Sequence, residues 1–135
     1  MKLSRRVLES VVRSVHKVML RELAGRTGID FVLGGACAIG AELVAARLRL
    51  LGAEPTVWEG SDPIEEFSHC WVELDGWILD PTWMQFDEAV PWKVSRDSRA
   101  YRQFEDRVPN PDWEDWDWCQ SPKHVRISSL TVGVS

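Results

Sequence analysis

Cys37, His69 and Asp80 are residue types that act together in nucleophilic catalysis, as thiol, base and orienting carboxylate. Cys37 follows Gly34-Gly35-Ala36 and opens a run rich in Ala, Leu, Glu and Arg that ends at Gly52. The two glycines permit a sharp turn into a helix. The thiol then falls in the first turn, where free N–H groups and the positive dipole end favour a thiolate. Ile39, Leu43, Ala46 and Leu50 recur at helical spacing, and Gly52 suits a left-handed end cap. A lone cysteine in an apolar helix is usually core, so the case for chemistry rests on what else the chain supplies.

It supplies a hairpin. Residues 67–74 and 77–80 are apolar, aromatic-rich runs joined by Asp75-Gly76, a strong tight-turn signal. A two-residue turn sets Leu74 opposite Trp77, Val72 opposite Leu79 and Trp71 opposite Asp80. His69 lies one pleat beyond Trp71 on the same face, within diagonal reach of the Asp80 carboxylate. Cys70, Val72, Leu74, Trp77 and Leu79 then share an apolar face, and His69, Trp71, Glu73, Ile78 and Asp80 a mixed one. Helices are expected over both faces, with the start of the Cys37 helix near His69 and Trp71. Cys70 points away from His69 and is expected to be buried.

The order Gly35-x-Cys37, helix, Leu51-Gly52, strand, His69-x-Trp71-Val72-Glu73, Asp75-Gly76-Trp77, Asp80-Pro81-Thr82-Trp83 resembles the core of the transglutaminase-like superfamily of papain-like thiol enzymes. The match covers roughly residues 34–86. The resemblance implies an α+β fold with a nucleophile-bearing helix packed on an antiparallel sheet. It implies Cys37 as nucleophile, His69 as general base and acid, and Asp80 as the orienting carboxylate. Trp71, Trp83 and Gly35 are the expected substrate contacts. Animal transglutaminases are far larger and bind calcium, whereas this chain is about the size of the bare core. Backbone N–H groups, including that of Cys37, are the nearest oxyanion donors.

The implied reaction is acyl transfer through a thioester. With water as acceptor the enzyme is a peptidase or glutamine amidase; with an amine it forms an isopeptide cross-link. A small core with short loops has little apparatus to exclude water, which favours hydrolysis of a peptide or side-chain amide. The rival from another class is an inactive interaction module on the same scaffold. Arylamine acetyltransferases share the Cys, His, Asp logic, but no donor-binding segment is apparent.

The 135 residues suit a single domain, and a net charge of −5 argues against nucleic acid as a partner. Charges interrupt the N-terminal apolar positions, so neither a signal peptide nor a membrane span is expected. Three cysteines at unrelated spacings make no disulfide framework and fit a reducing cytoplasm. No cofactor is expected. A zinc site from Cys37, His69, Cys70, Cys119 and His124 fails on spacing, since no two cysteines form a close pair. Gly34-Gly35 lacks the lysine of a phosphate loop.

Along the chain, residues 4–23 predict a helix with Ser4 as cap and Leu8, Val11, Val12, Val15, Met19 and Leu23 inward. Arg13, Lys17 and Arg21 form a solvated stripe, and His16 packs or faces solvent. A strand is expected over 54–59, ended by Gly60-Ser61-Asp62-Pro63, with Asp62, Glu65 and Glu66 making an acidic rim beside His69. Residues 97–104 suit a short helix, Pro109-Asn110-Pro111 a break, and 124–132 a last strand. All eight tryptophans follow Cys37. The alternating acid and aromatic segment 112–118 reads as a surface strip pinned by its tryptophans, or as the docking site of a protein partner.

Overall fold

Ser4 starts the first helix, its Oγ accepting from the Val7 N–H at 3.3 Å and its carbonyl from the Leu8 N–H at 3.0 Å. This helix, α1, spans Arg5–Glu22. The computed structural model describes residues 2–22, 37–62, 67–83, 90–104 and 106–109. Leu8, Val11, Val12, Val15 and Met19 are buried along one side of α1, and Arg13, Lys17 and Arg21 are exposed on the other, as the spacing predicts; Val18 joins the buried side, and Leu23 lies outside the described residues. The second helix, α2, spans Cys37–Leu50, so the thiol is carried by its first residue. Gly52, at φ 85°, ends it: the Gly52 N–H donates to the Arg49 carbonyl and the Ala53 N–H to that of Leu48. The inward side of α2 differs from the expected one. Ala41, Val44, Ala45 and Leu48 are buried with Leu43, whereas Leu50 is 64% exposed, because α2 is covered on several sides rather than along one stripe.

Five strands follow: β1 (Thr56–Asp62), β2 (Phe67–Leu74), β3 (Trp77–Asp80), β4 (Lys93–Ser95) and β5 (Val108–Pro109). They form an antiparallel sheet in the order β4-β3-β2-β1-β5, so the described residues are α+β. The hairpin register is the one the turn demands, Leu74 opposite Trp77 and Val72 opposite Leu79. Asp75 and Gly76 both have positive φ, 52° and 83°, as a type I′ turn requires. β1 runs on through Gly60 and Ser61 instead of stopping there. Gly60 lies opposite His69, and its missing side chain makes room for Phe104, whose Cβ would stand 2.6 Å from an added Cβ. The Asp106 carboxylate accepts from the Ser61 N–H and hydroxyl, tying the chain after Phe104 to β1.

Both helices cover one face of the sheet, against Val57, Cys70, Val72, Leu74, Leu79 and Val94. The other face carries no α-helix among the described residues; its cover is the short helix expected within residues 97–104, which is 3₁₀. There Trp71, Ile78 and Trp83 are covered by Tyr101 and Phe104 from a 3₁₀-helix, Arg99–Gln103, and the residue after it. Two large aromatic rings bury enough area to close a small face without a long helix.

Pro81 is clamped between the helices. His16 of α1 is buried and donates from Nδ1 to the Pro81 carbonyl at 2.7 Å; burial lowers its pKa, against the Pro81 bond. Gly40 of α2 lets the pyrrolidine ring approach so closely that an added Cβ would stand 2.7 Å from Pro81 Cγ and 3.0 Å from Met19 Sδ. Helix propensity alone would make Gly40→Ala stabilising by about 1 kcal/mol. The ring cannot swing away as a flexible side chain would, so overpacking prevails and we expect a net loss of about 1–2 kcal/mol in denaturant unfolding. The same substitution should slow alkylation of Cys37, because α2 carries the thiol.

Candidate active site

Asp80 is the last residue of β3, and Pro81, which has no N–H, cannot prolong the ladder with β2. Continuing the register, Trp71 falls opposite Asp80 and Cys70 opposite Pro81. β2 therefore extends past its partner at His69 and Cys70. Among the described residues no strand pairs with β2 on that edge beside them, and Cys37 at the start of α2 shares an apolar cluster with Cys70.

The Asp80 carboxylate is wholly buried and accepts four hydrogen bonds. Oδ1 receives the Thr82 N–H at 2.9 Å and the Thr82 hydroxyl at 3.2 Å. Oδ2 receives His69 Nε2–H at 2.6 Å and the Tyr101 hydroxyl at 2.7 Å. Burial alone would raise the Asp80 pKa. The His69 charge and these donors outweigh it and hold the carboxyl below its usual range. His69 is fully buried among rings, stacked at centroid distances of 5.9 Å on Trp71, 5.9 Å on Phe104 and 6.3 Å on Tyr101. With Nε2 committed to Asp80, Nδ1 is the nitrogen left for the thiol. His69 and Cys37 are near enough for each to shift the other's pKa.

The electrostatics follow from this order. The Cys37 thiol is lowered to about 5, first by a hydrogen bond from the Cys70 thiol, against burial, and then by the hydrogen bond and charge of His69. His69 is raised to about 9: burial opposes the imidazolium, but Asp80 and then Cys37 stabilise it more. Between these values the pair is thiolate and imidazolium, the reactive form of a cysteine nucleophile.

Cys37, His69 and Asp80 are thus brought together, with Cys37 7% exposed and the other two not at all. Trp71, expected to contact substrate, presents no exposed surface and packs against His69 and Tyr101 instead. Trp83 is also buried, beside Tyr101 at 5.4 Å and with the Lys93 ammonium 4.2 Å over its ring. Gly35 lies outside the described residues, as do Glu65, Glu66, Cys119, His124, segment 112–118 and the expected strand 124–132. Among the described residues no cluster of His, Cys, Asp and Glu is arranged to hold a metal ion, and no helix is long and apolar enough to cross a membrane.

Three participants escaped the sequence reading. Thr82 was legible in principle, since Asp-x-Thr is a familiar local side-chain-to-backbone motif. Tyr101 carried no signal, being twenty-one residues from Asp80 in a weakly patterned stretch. Cys70 is buried and on the face away from His69, as expected. That face is also where α2 lies, so Cys70 is buried in one apolar cluster with Cys37, whose pKa it lowers. Tyr101→Phe tests the new donor. It should cost about 1–2 kcal/mol, the loss of a buried hydrogen bond to a charged acceptor. Acid unfolding should also begin at a higher pH, because Asp80 is then held down less strongly.

No family model, curated protein or solved structure matches this chain.

Proposed function

We propose that this chain is a thiol-dependent acyl-transfer enzyme of the transglutaminase-like, papain-like kind. It would act on a peptide or a glutamine side-chain amide through a thioester at Cys37. The observation that carries the reading is a thiol on the first residue of a helix, paired with an imidazole that a buried, four-times hydrogen-bonded carboxylate orients. The Cys37 thiolate attacks the carbonyl, and backbone N–H groups near the start of α2, including that of Cys37, hold the developing oxyanion. His69 gives its proton to the departing amine and then takes one from the acceptor. Hydrolysis is favoured over cross-linking because a small core has little apparatus to keep water from the thioester. A reducing cytoplasm suits a nucleophile that must stay a free thiol.

One observation favours a second reading, an inactive interaction module: His69 and Asp80 have no exposed surface and Cys37 almost none. Acid-quenched mass spectrometry after incubation with a glutamine-containing peptide mixture, with and without a primary amine, separates the readings. Acyl adducts on Cys37 with ammonia or amine release support an enzyme, and amine incorporation into the peptide marks cross-linking. Absence of any adduct or product over the pH range where Cys37 alkylates readily would leave the interaction module.

A further inference from the structure

A cavity of about 410 Å³ opens on the mixed face of the sheet, at the turn end of the β2–β3 hairpin. Glu73 and Ile78, cross-strand partners, form its floor, and Trp58 of β1 stands at one side. Glu54 and Asp75 are exposed at its rim. Its volume falls in the range of small-ligand pockets. Glu73 is four residues from His69 along β2, about 13 Å away, and Trp71 stands between them under Tyr101 and Phe104. The cavity is therefore separate from the reacting groups.

Two imbalances mark it. The first is charge. Glu73 is half-buried, and no described Lys or Arg forms an ion pair with Glu73, Glu54 or Asp75. Arg96, the cation on the described wall, holds its guanidinium 4.3 Å over the Trp77 ring instead. The second is donors. Trp58 and Trp71 lie opposite each other on β1 and β2, one row of the sheet from Glu73, and the indole N–H of each is buried without a hydrogen bond. Trp71 exposes no surface at all. Burial raises the Glu73 pKa; the Trp71 indole, near enough to oppose this yet outside hydrogen-bonding geometry, and the Arg107 charge hold it back in part. Buried donors without partners are rare in folded proteins, so these favour a ligand that brings an acceptor as well as a positive charge.

We propose that this cavity binds an arginine residue of a peptide, its guanidinium on the Glu73 carboxylate and its backbone carbonyl accepting from the Trp58 indole N–H. Trp58 and Glu73 are diagonal neighbours across β1 and β2, about 7 Å apart at Cβ, a span that an arginine side chain covers. A guanidinium suits the place better than an ammonium. It binds a carboxylate through two parallel hydrogen bonds, stacks on an indole and sheds water more readily. Its aliphatic stem lies against Ile78, and Glu54 and Asp75 add negative charge at the rim. Binding here does not use Cys37, so it holds or fails apart from the acyl-transfer reading.

The test titrates the full, isotope-labelled chain with Nα-acetyl-arginine N-methylamide by NMR, with the norleucine analogue as uncharged control. The expected result is saturable movement of the Glu73 and Gly76 amides and of the Trp58 indole N–H, with a Kd of about 1 mM or tighter. Trp58→Phe identifies the indole resonance by its loss. The norleucine analogue should bind at least about tenfold more weakly. Glu73→Gln keeps the shape of the side chain and should also weaken binding at least about tenfold. Thermal unfolding checks that this variant folds. Should it fail to fold, Trp58→Phe is the second variant, with an expected loss of at least about threefold. Absence of saturable shifts, equal binding of the norleucine analogue, or affinity unchanged in a folded Glu73→Gln overturns the proposal. So do shifts confined to residues around Cys37 and His69.

Discussion

Asp80→Asn should cost about 3 kcal/mol at neutral pH, as expected when one partner of a buried ion pair is removed. An amide carries one acceptor, whereas both oxygens of Asp80 accept: Oδ2 from His69 and Tyr101, Oδ1 from the Thr82 N–H and hydroxyl. Whichever way the amide lies, its NH₂ meets donors on one side, and buried donors are left unpaired. Charge matters as well as shape. The folded pKa of Asp80 is lowered, so its contribution is fully present above the ordinary 3.8 and is lost as pH falls through the folded value. His69 is raised from 6.5 to about 9, so its contribution is fully present below 6.5 and is lost as pH rises through about 9. The stability difference between wild type and Asp80→Asn should therefore be largest between about pH 4 and 6.5 and shrink on either side. Urea unfolding at several pH values measures this. A difference independent of pH would mean that Asp80 acts through packing alone, without a charged partner.

His69→Ala should abolish the acidity of Cys37 to a large degree. In the wild type, alkylation by iodoacetamide should rise with a midpoint near the lowered value of about 5. Removing the imidazole takes away one hydrogen bond and one positive charge, leaving the Cys70 donor against burial. The midpoint should move upward by roughly two pH units, which makes alkylation at pH 6 slower by about tenfold. Mass spectrometry separates Cys37 from Cys70 and Cys119 in the same sample. An unchanged midpoint would assign the acidity to Cys70 and remove His69 as the activating base. Near-equal rates for native and urea-unfolded wild type would indicate that no residue activates the thiol.

How far the site was legible differs between its parts, for a physical reason. Periodicity and turn chemistry are local, so the amino-acid order alone determined α1 with its Ser4 cap, the Gly52 end of α2, the Asp75-Gly76 turn and the hairpin register. From that register came the diagonal approach of His69 to Asp80, because a two-residue turn leaves no freedom in which residues oppose each other. Short edge elements were not legible. β4 and β5 are three and two residues long and form only because β3 and β1 offer unpaired edges.

Tertiary structure alone decided what surrounds the triad. Tyr101 and Phe104 close the mixed face from a distant segment, and no local pattern announces the Tyr101 hydroxyl to Asp80. Glu42 is similar: a helical glutamate reads as solvated, yet it is buried and raised to about 9 by desolvation, so it is neutral at pH 7. His16 and Gly40 were an ordinary histidine and an ordinary small residue until α1 and α2 closed on Pro81. The thiol, imidazole and carboxylate were visible as types at spacings. Their ionisation was not, because it is set by burial and by partners that only the packed chain brings within a few ångströms.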